Sequence, residues 1–226
     1  MLLIQTDRNA LLAPLSAIVG VVERRHTLPI LSNLLLEKKA GALTLLATDL
    51  ELQVRTQLEL PDSGEDFAIT VAARKLFDIV RALPDGARIK LDTKDKQVVV
   101  SAGKSRFTLQ TLPAADFPRM ETAAGLGEEI QLPQKTLKRL LQLVQFAMAS
   151  QDIRYYLNGM LLVLDGKTLR VVATDGHRLS YAETSLETES TPLREVIIPR
   201  KTVQELVKLL SDTDEPVNLQ IGANQV

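Results

Sequence analysis

The chain has 226 residues, a formal net charge of −1, 45% apolar and 24% charged residues, and no cysteine. That mix is ordinary for a globular protein with room for two domains of about 110 to 130 residues, and it excludes disulfides and thiolate metal sites. No apolar run approaches the roughly 20 residues needed to span a bilayer, and Met1-Leu2-Leu3-Ile4-Gln5 lacks the basic stretch and cleavage site of a secretory signal, so a cytoplasmic location is expected.

Leu2 to Thr6 reads as a short strand, and Asp7 as the cap of a helix over about Arg8 to Val22. Its apolar residues Leu11, Leu12, Leu15, Ile18, Val19 and Val22 recur at helical spacing, with Pro14 expected to kink the first turns. Glu23-Arg24-Arg25-His26 is a polar loop. Leu31 to Lys38 and Leu43 to Thr48 read as strands around a turn at Gly41. Leu50 to Leu60 alternates, with Leu50, Leu52, Val54, Leu58 and Leu60 expected on the buried face. Pro61-Asp62-Ser63-Gly64 is a turn, Phe67 to Val71 a strand, and Arg74 to Leu83 a second helix. Strands follow over Arg88 to Asp92, Gln97 to Ser101 and Ser105 to Thr111. Leu112 to Glu129, with Pro113, Pro118, Gly125 and Gly127, reads as an interdomain linker. Helices over Gln134 to Ala149 and Arg200 to Leu210, introduced by Pro133 and Pro199, then repeat the pattern. Strands outnumber helices and most turns are too short for crossovers. The class is α+β: mostly antiparallel sheets, with two helices per domain on one face.

The second half echoes the first. Ala173-Thr174-Asp175 matches Ala47-Thr48-Asp49 at a shift of 126, as do Ile130-Gln131 with Ile4-Gln5 and Arg200-Lys201 with Arg74-Lys75. A period this long means duplicated domains. They are expected over 1–122 and 123–226. At that shift Val226 matches Val100, so the second copy lacks the counterpart of Ser105 to Thr111. Its sheet would be left with an unpaired edge, and the natural chain is expected to continue.

Charge is sorted by element. The four helices hold ten Lys and Arg against Asp78 and Glu205, a net +8 that leaves −9 for the rest. Amphipathic helices can carry cations merely as a solvated face. They usually mix both signs, however, and a basic helical layer also suits the phosphates of a polyanion. Asp175-Gly176-His177 permits an acid–base or metal-assisted phosphodiesterase reading. Against it, the chain has only His26 and His177, Asp after a strand commonly bonds turn amides, and no phosphate loop, nucleophile elbow or metalloprotease motif is present. No metal, cofactor or catalytic residue is expected. Gln151-Asp152-Ile153-Arg154-Tyr155-Tyr156 is a candidate backbone contact, with one tyrosine expected in the core if the segment is a strand. A plain protein-interaction scaffold is the remaining reading.

The motifs Thr27-Leu28-Pro29-Ile30-Leu31, Ala47-Thr48-Asp49-Leu50-Glu51, Ala73-Arg74-Lys75, Ser105-Arg106-Phe107, Thr111 to Pro118, Gln151 to Gly159 and Ala173 to Leu179 resemble the bacterial replicative sliding-clamp family, the beta subunits of DNA polymerase III. The resemblance runs nearly end to end. It implies a clamp fold, sheets outside and helices inside, in a homodimeric ring of three-domain chains. The ring would encircle double-stranded DNA and tether the polymerase without enzymatic activity or cofactor. It further implies a DNA-facing set of Arg25, Arg81, Gln151, Arg154, Tyr155, Tyr156, Arg200 and Lys201. Leu157, Thr174, Gly176, His177, Arg178 and Leu179 would belong to a cleft for short motifs of the polymerase and clamp loader. Lys75, Ile79, Lys104, Arg106, Phe107 and Leu109 would belong to the ring interface. The third domain and the end of the second are absent from the sequence, so the cleft is expected to be only partly formed.

Overall fold

A computed structural model describes residues 1–22, 28–60, 65–120, 127, 129–187, 191–222 and 225–226. The loop at 23–26, with Arg25, and the turn at 61–64 lie outside the described residues. The chain divides into two units, Met1–Met120 and Glu121–Val226.

In unit one, β1 (Leu2–Asp7) runs directly into α1 (Arg8–Ile18). The Asp7 side chain caps the helix by accepting the Asn9 amide at 2.8 Å. The helix continues through Pro14 but ends at Ile18. Val19–Val22, expected as helix, are turns in which Val21 and Val22 remain buried. After a 3₁₀ turn at Pro29–Ser32 come β2 (Asn33–Lys39), β3 (Ala42–Thr48), β4 (Gln53–Glu59), β5 (Phe67–Ala72), α2 (Ala73–Ala82), β6 (Arg88–Lys94), β7 (Gln97–Ala102) and β8 (Ser105–Gln110). They form two antiparallel four-stranded sheets, β4-β3-β2-β5 and β1-β6-β7-β8. Both helices pack on both sheets and on each other. The core lies between these layers. Leu11, Leu15 and Ile18 of α1 and Leu76 and Val80 of α2 meet Leu34, Leu36, Leu43, Leu45, Ile89, Leu91, Val98 and Val100 of the strands.

Unit two repeats the plan with β9 (Ile130–Pro133), α3 (Gln134–Val144), β10 (Gly159–Gly166), β11 (Thr168–Thr174), β12 (Leu179–Ser185), β13 (Thr191–Pro199), α4 (Arg200–Leu209) and β14 (Pro216–Leu219). The sheet β12-β11-β10-β13 matches β4-β3-β2-β5, and β14-β9 matches β6-β1. Register corrects one expectation. Ile4 pairs with Leu91, and its counterpart Ile130 pairs with Leu219, so the shift has grown to 128 at this strand. Val226 therefore aligns with Val98 rather than Val100.

Leu50 also departs from expectation. It is 49% exposed at φ +79, in a turn that precedes β4, while Leu52, Val54, Leu58 and Leu60 do pack on the core. Glycine adopts positive φ freely and leucine does not.

Much of the expected linker is strapped to unit one. Leu112 is bonded through both its backbone groups to the Thr70 hydroxyl, Met120 and Gln53 exchange two hydrogen bonds, and Arg119 pairs with Glu37 at 2.7 Å. Phe117, 4% exposed, covers Leu35 and Leu46 on the sheet face opposite the helices. In unit two the corresponding Leu161 and Val172 are half-buried, in a cross-strand row with the exposed Tyr181 and Ile197. Phe117→Ala should lower the stability of unit one by about 3 kcal/mol, the lower end for a buried aromatic truncation. Denaturant unfolding of the variant measures this, and an unchanged midpoint would mean that the strap contributes nothing.

Candidate functional site

Over the observed spans the four helices keep their ten cations and two anions. Their apolar stripes face the sheets: Ala73, Leu76 and Val80 on α2, Leu137, Leu140, Leu141 and Val144 on α3, and Val203 on α4 are buried. Lys75, Arg81, Lys135, Arg139 and Lys208 are exposed. The acids are not confined to the sheets, however. Loops at the helix ends supply partners: Asp85 to Arg8 at 2.6 Å, Asp214 to Lys135 at 2.6 Å and Asp212 to Lys138 at 3.0 Å. Within the helices Arg81 pairs with Asp78 and Lys208 with Glu205. The pairs exposed on both sides, Arg81–Asp78 and Lys135–Asp214, are worth about 0–1 kcal/mol each, so a polyanion can exchange with them, whereas the Arg8, Lys138 and Glu205 side chains are largely buried. Among the described residues Lys75 and Arg139 make no ion pair.

The segment between α3 and β10 is a compact excursion. Ala149 N–H donates to Leu157 O at 3.0 Å and closes its neck. Inside, Asp152 and Asn158 exchange two bonds, Asp152 N–H to Asn158 Oδ1 at 2.9 Å and Asn158 Nδ2 to Asp152 O at 2.8 Å. Asp152 then holds Arg154 through its backbone amide, Nε and Nη2. Tyr155 and Tyr156 lie in a 3₁₀ turn, Tyr155–Leu157, rather than a strand. Both are therefore exposed, at 82% and 50%, and neither joins the core. The buried residue is Leu157. Their rings meet edge-on at 5.8 Å. Ile153, 97% exposed, stands beside them, and Gln151 is exposed at φ +60.

Arg200 does not point freely from α4. Its Nη1 donates to Met148 O at 2.7 Å and Ala149 O at 3.3 Å. Lys201 beside it is half-buried.

The Thr-Asp motif builds the same turn twice. Asp49 Oδ1 accepts the amides of Glu51 and Leu52, and Thr48 Oγ1 that of Leu50. In unit two Asp175 Oδ1 accepts the amides of His177 and Arg178, and Thr174 Oγ1 that of Gly176. These bonds, the His177 amide first, hold the Asp175 carboxyl below its usual range, and its other oxygen takes Arg178 Nε at 2.9 Å. Asp175 is thus committed to shaping the turn rather than presented as a base. Gly176, at φ +89, lets the Arg154 guanidinium lie against the turn, because an added Cβ would sit 3.2 Å from Nη2. The 151–157 excursion and the 174–179 turn, separate sites by sequence, therefore adjoin through Arg154. His177, Arg178 and Leu179 are exposed. The Arg178 guanidinium covers Phe146 at 5.4 Å. Phe146, 55% exposed, is absent from the expected set; its place off the Leu137–Leu140–Leu141–Val144 stripe is the signal that could have found it.

Of the expected ring-interface residues, Lys75, Lys104, Arg106 and Phe107 are exposed and Ile79 is half-buried. Leu109 is 5% exposed within the core, so its side chain is not free for a partner. Strand β8 lies at the end of its sheet.

Bonding to the Arg154 guanidinium and then to its amide pulls the Asp152 carboxyl from 3.8 to about 2. A lowered folded-state value stabilises the ionised loop above the unfolded value, and that contribution fades as pH falls toward 2. A carbon-detected NMR titration should find the Asp152 midpoint near 2 and move it up toward 3.8 in Arg154→Ala. An unchanged midpoint in that variant would break the link.

Residues 2–121 match the family model of the DNA polymerase III beta subunit N-terminal domain, and residues 131–226 that of its central domain. The chain is 47% identical over 220 residues to the beta sliding clamp of Escherichia coli K12, covering 97% of this chain and 60% of that one. Identity and coverage are the same with the beta sliding clamp of Pseudomonas aeruginosa. Among solved structures, a DnaN sliding clamp (DNA polymerase III subunit beta) of Pseudomonas aeruginosa bound to griselimycin superposes with a TM-score of 0.92 at 46% identity, over 98% of this chain and 60% of that one. The pol III beta of Caulobacter crescentus superposes with a TM-score of 0.89 at 40% identity, over 96% and 60%. The chain thus spans about 60% of the length of these relatives. With both family models matched in order and the fold shared, the chain belongs to the DNA polymerase III beta subunit family.

Proposed function

We propose that the chain works in a DNA sliding clamp, a non-enzymatic ring that encircles duplex DNA and tethers the replicative polymerase. The observation that carries this reading is the sorting of charge in a chain of this family: ten helical cations against two anions, in helices whose apolar sides are turned inward. Weak contact suits a sliding ring. Exposed ion pairs that a phosphate can replace give affinity without register, and topology supplies retention.

In this reading Arg25, Arg81, Gln151, Arg154, Tyr155, Tyr156 and Lys201 face DNA, and Arg200 serves the same edge. The exposed tyrosines offer aromatic faces and hydroxyls to the sugar–phosphate backbone. His177, Arg178 and Leu179, with Thr174, Gly176 and Leu157 beneath, form one wall of a cleft that takes short linear motifs of the polymerase and the clamp loader. Lys75, Ile79, Lys104, Arg106 and Phe107, with the β8 backbone at Leu109, serve a homodimer interface by strand addition.

The full-length ring is expected to stay on closed circular DNA and to leave once the circle is cut. Equal release from both would reject the clamp. In calorimetry, His177→Ala or Leu179→Ala should weaken a clamp-binding peptide by about 1 to 3 kcal/mol. Unchanged affinity would remove these residues from the cleft.

A further inference from the structure

The two arginines that open the second helix of each unit, Arg74 and Arg200, do the same thing at the same place. Arg200 Nη1 donates to Met148 O at 2.7 Å and Ala149 O at 3.3 Å. Arg74 Nη2 donates to Val22 O at 2.8 Å, and Val22 lies 126 residues before Met148. In both units the second helix thus sends a guanidinium onto a carbonyl four residues past the end of the first helix, which closes at Ile18 in unit one and at Val144 in unit two. The residues after that carbonyl differ in sequence but not in expected role: Arg25 in unit one, Gln151 to Tyr156 in unit two. In unit two the tie is doubled. The Arg200 amide donates to Asn158 O at 3.0 Å, at the far end of the excursion, and Ala149 N–H donates to Leu157 O across the neck. One residue therefore holds both ends of the segment that carries Tyr155 and Tyr156.

We propose that Arg200 is a positioning residue, clamping the base of the 149–158 excursion so that Gln151, Tyr155 and Tyr156 stand at a fixed height for DNA, and that it does not itself bind phosphate. The proposal rests on the DNA reading of that excursion given above. The chemistry favours it. Bonds from a charged donor to carbonyls are about twice as strong as neutral ones, and here one guanidinium nitrogen, Nη1, reaches both carbonyls, its N–H directions fixed by the guanidinium plane where an ammonium rotates freely on a flexible stem. A guanidinium so engaged is costly to withdraw toward a phosphate, because the part-buried carbonyls would lose their donor. Arg74 repeats the device, so the proposal names a duplicated element of the fold rather than one side chain's rotamer.

The test is a double-mutant cycle on the 226-residue chain with a short linear duplex, joined to hydrogen–deuterium exchange. Arg200→Gln should weaken duplex binding roughly tenfold, within the coupling seen inside one hydrogen-bonded network. In a Tyr155→Ala/Tyr156→Ala background the same change should cost less than about twofold, since the clamped groups are gone. Exchange across 149–158 should quicken in Arg200→Gln. Arg200→Lys, which keeps the charge and is the safer variant for folding, should show faster exchange and weaker binding than the parent. Equal losses in both backgrounds, parent-like binding by Arg200→Lys, or unchanged exchange would each overturn the proposal and make Arg200 a phosphate contact or a bystander. If the tyrosine pair variant binds duplex as the parent does, the DNA reading of the excursion fails instead. Exchange alone then judges the clamp, faster exchange upholding it and unchanged exchange overturning it.

Discussion

Each unit has to bury two helices on two antiparallel sheets with little else to form a core. The buried apolar residues of α1 to α4 are turned against the strands and against the neighbouring helix. Whatever the helices carry on their other sides is left for solvent or for a partner. Charge is therefore sorted by the packing itself: long cationic side chains can only stand on the face that the core does not use. The net positive helices and the net negative remainder follow from that division once the residue types are chosen. In the sliding-clamp reading proposed above, the positive sign matches the phosphates of DNA.

The duplication shows which local devices the fold requires. The Thr-Asp turn closes the same strand pair in both units with matching hydrogen bonds. Its third position differs. Leu50 occupies positive φ in one copy and Gly176 in the other, and the glycine leaves room for the Arg154 guanidinium. The missing side chain thus joins two neighbouring loops in unit two, where an exposed leucine stands in unit one. Loops such as these differ between the copies, while the order of the shared strands and helices is kept.

Period and alternation make most elements legible in the residue order alone: the strand pairs, the four helices and the repeat all stand close to where apolar spacing puts them. The departures have identifiable physical causes. Leu50 continues an alternating run and so reads as buried, but the Asp49 carboxylate captures the next amides and delays the strand to Gln53. Tyr155 and Tyr156 read as opposite faces of a strand, and the Asp152–Asn158 exchange folds them into a tight turn instead. Phe117 sits in a proline-rich stretch that reads as linker, because the apolar face awaiting it is made by Leu46 and Leu35, 71 and 82 residues earlier. Arg200 counts by sequence among the free cations, since nothing in its neighbours reveals that carbonyls 51 and 52 residues away lie within its reach. The acidic loops beside α1 and α3 are likewise visible as charges but not as partners.

In the proposed clamp the helical faces, and not the sheets, meet the polyanion. The direct measurement is the dependence of short-duplex affinity on salt concentration, whose slope scales as roughly 0.9 per phosphate that the protein neutralises. Replacing Lys75, Arg81, Lys138, Arg139 and Lys208 with glutamine should flatten that slope, while replacing the strand cations Arg88, Lys90, Lys94, Arg170 and Arg194 should leave it as in the parent. Equal slopes for the two variants, or a flatter one for the strand set, would contradict the account.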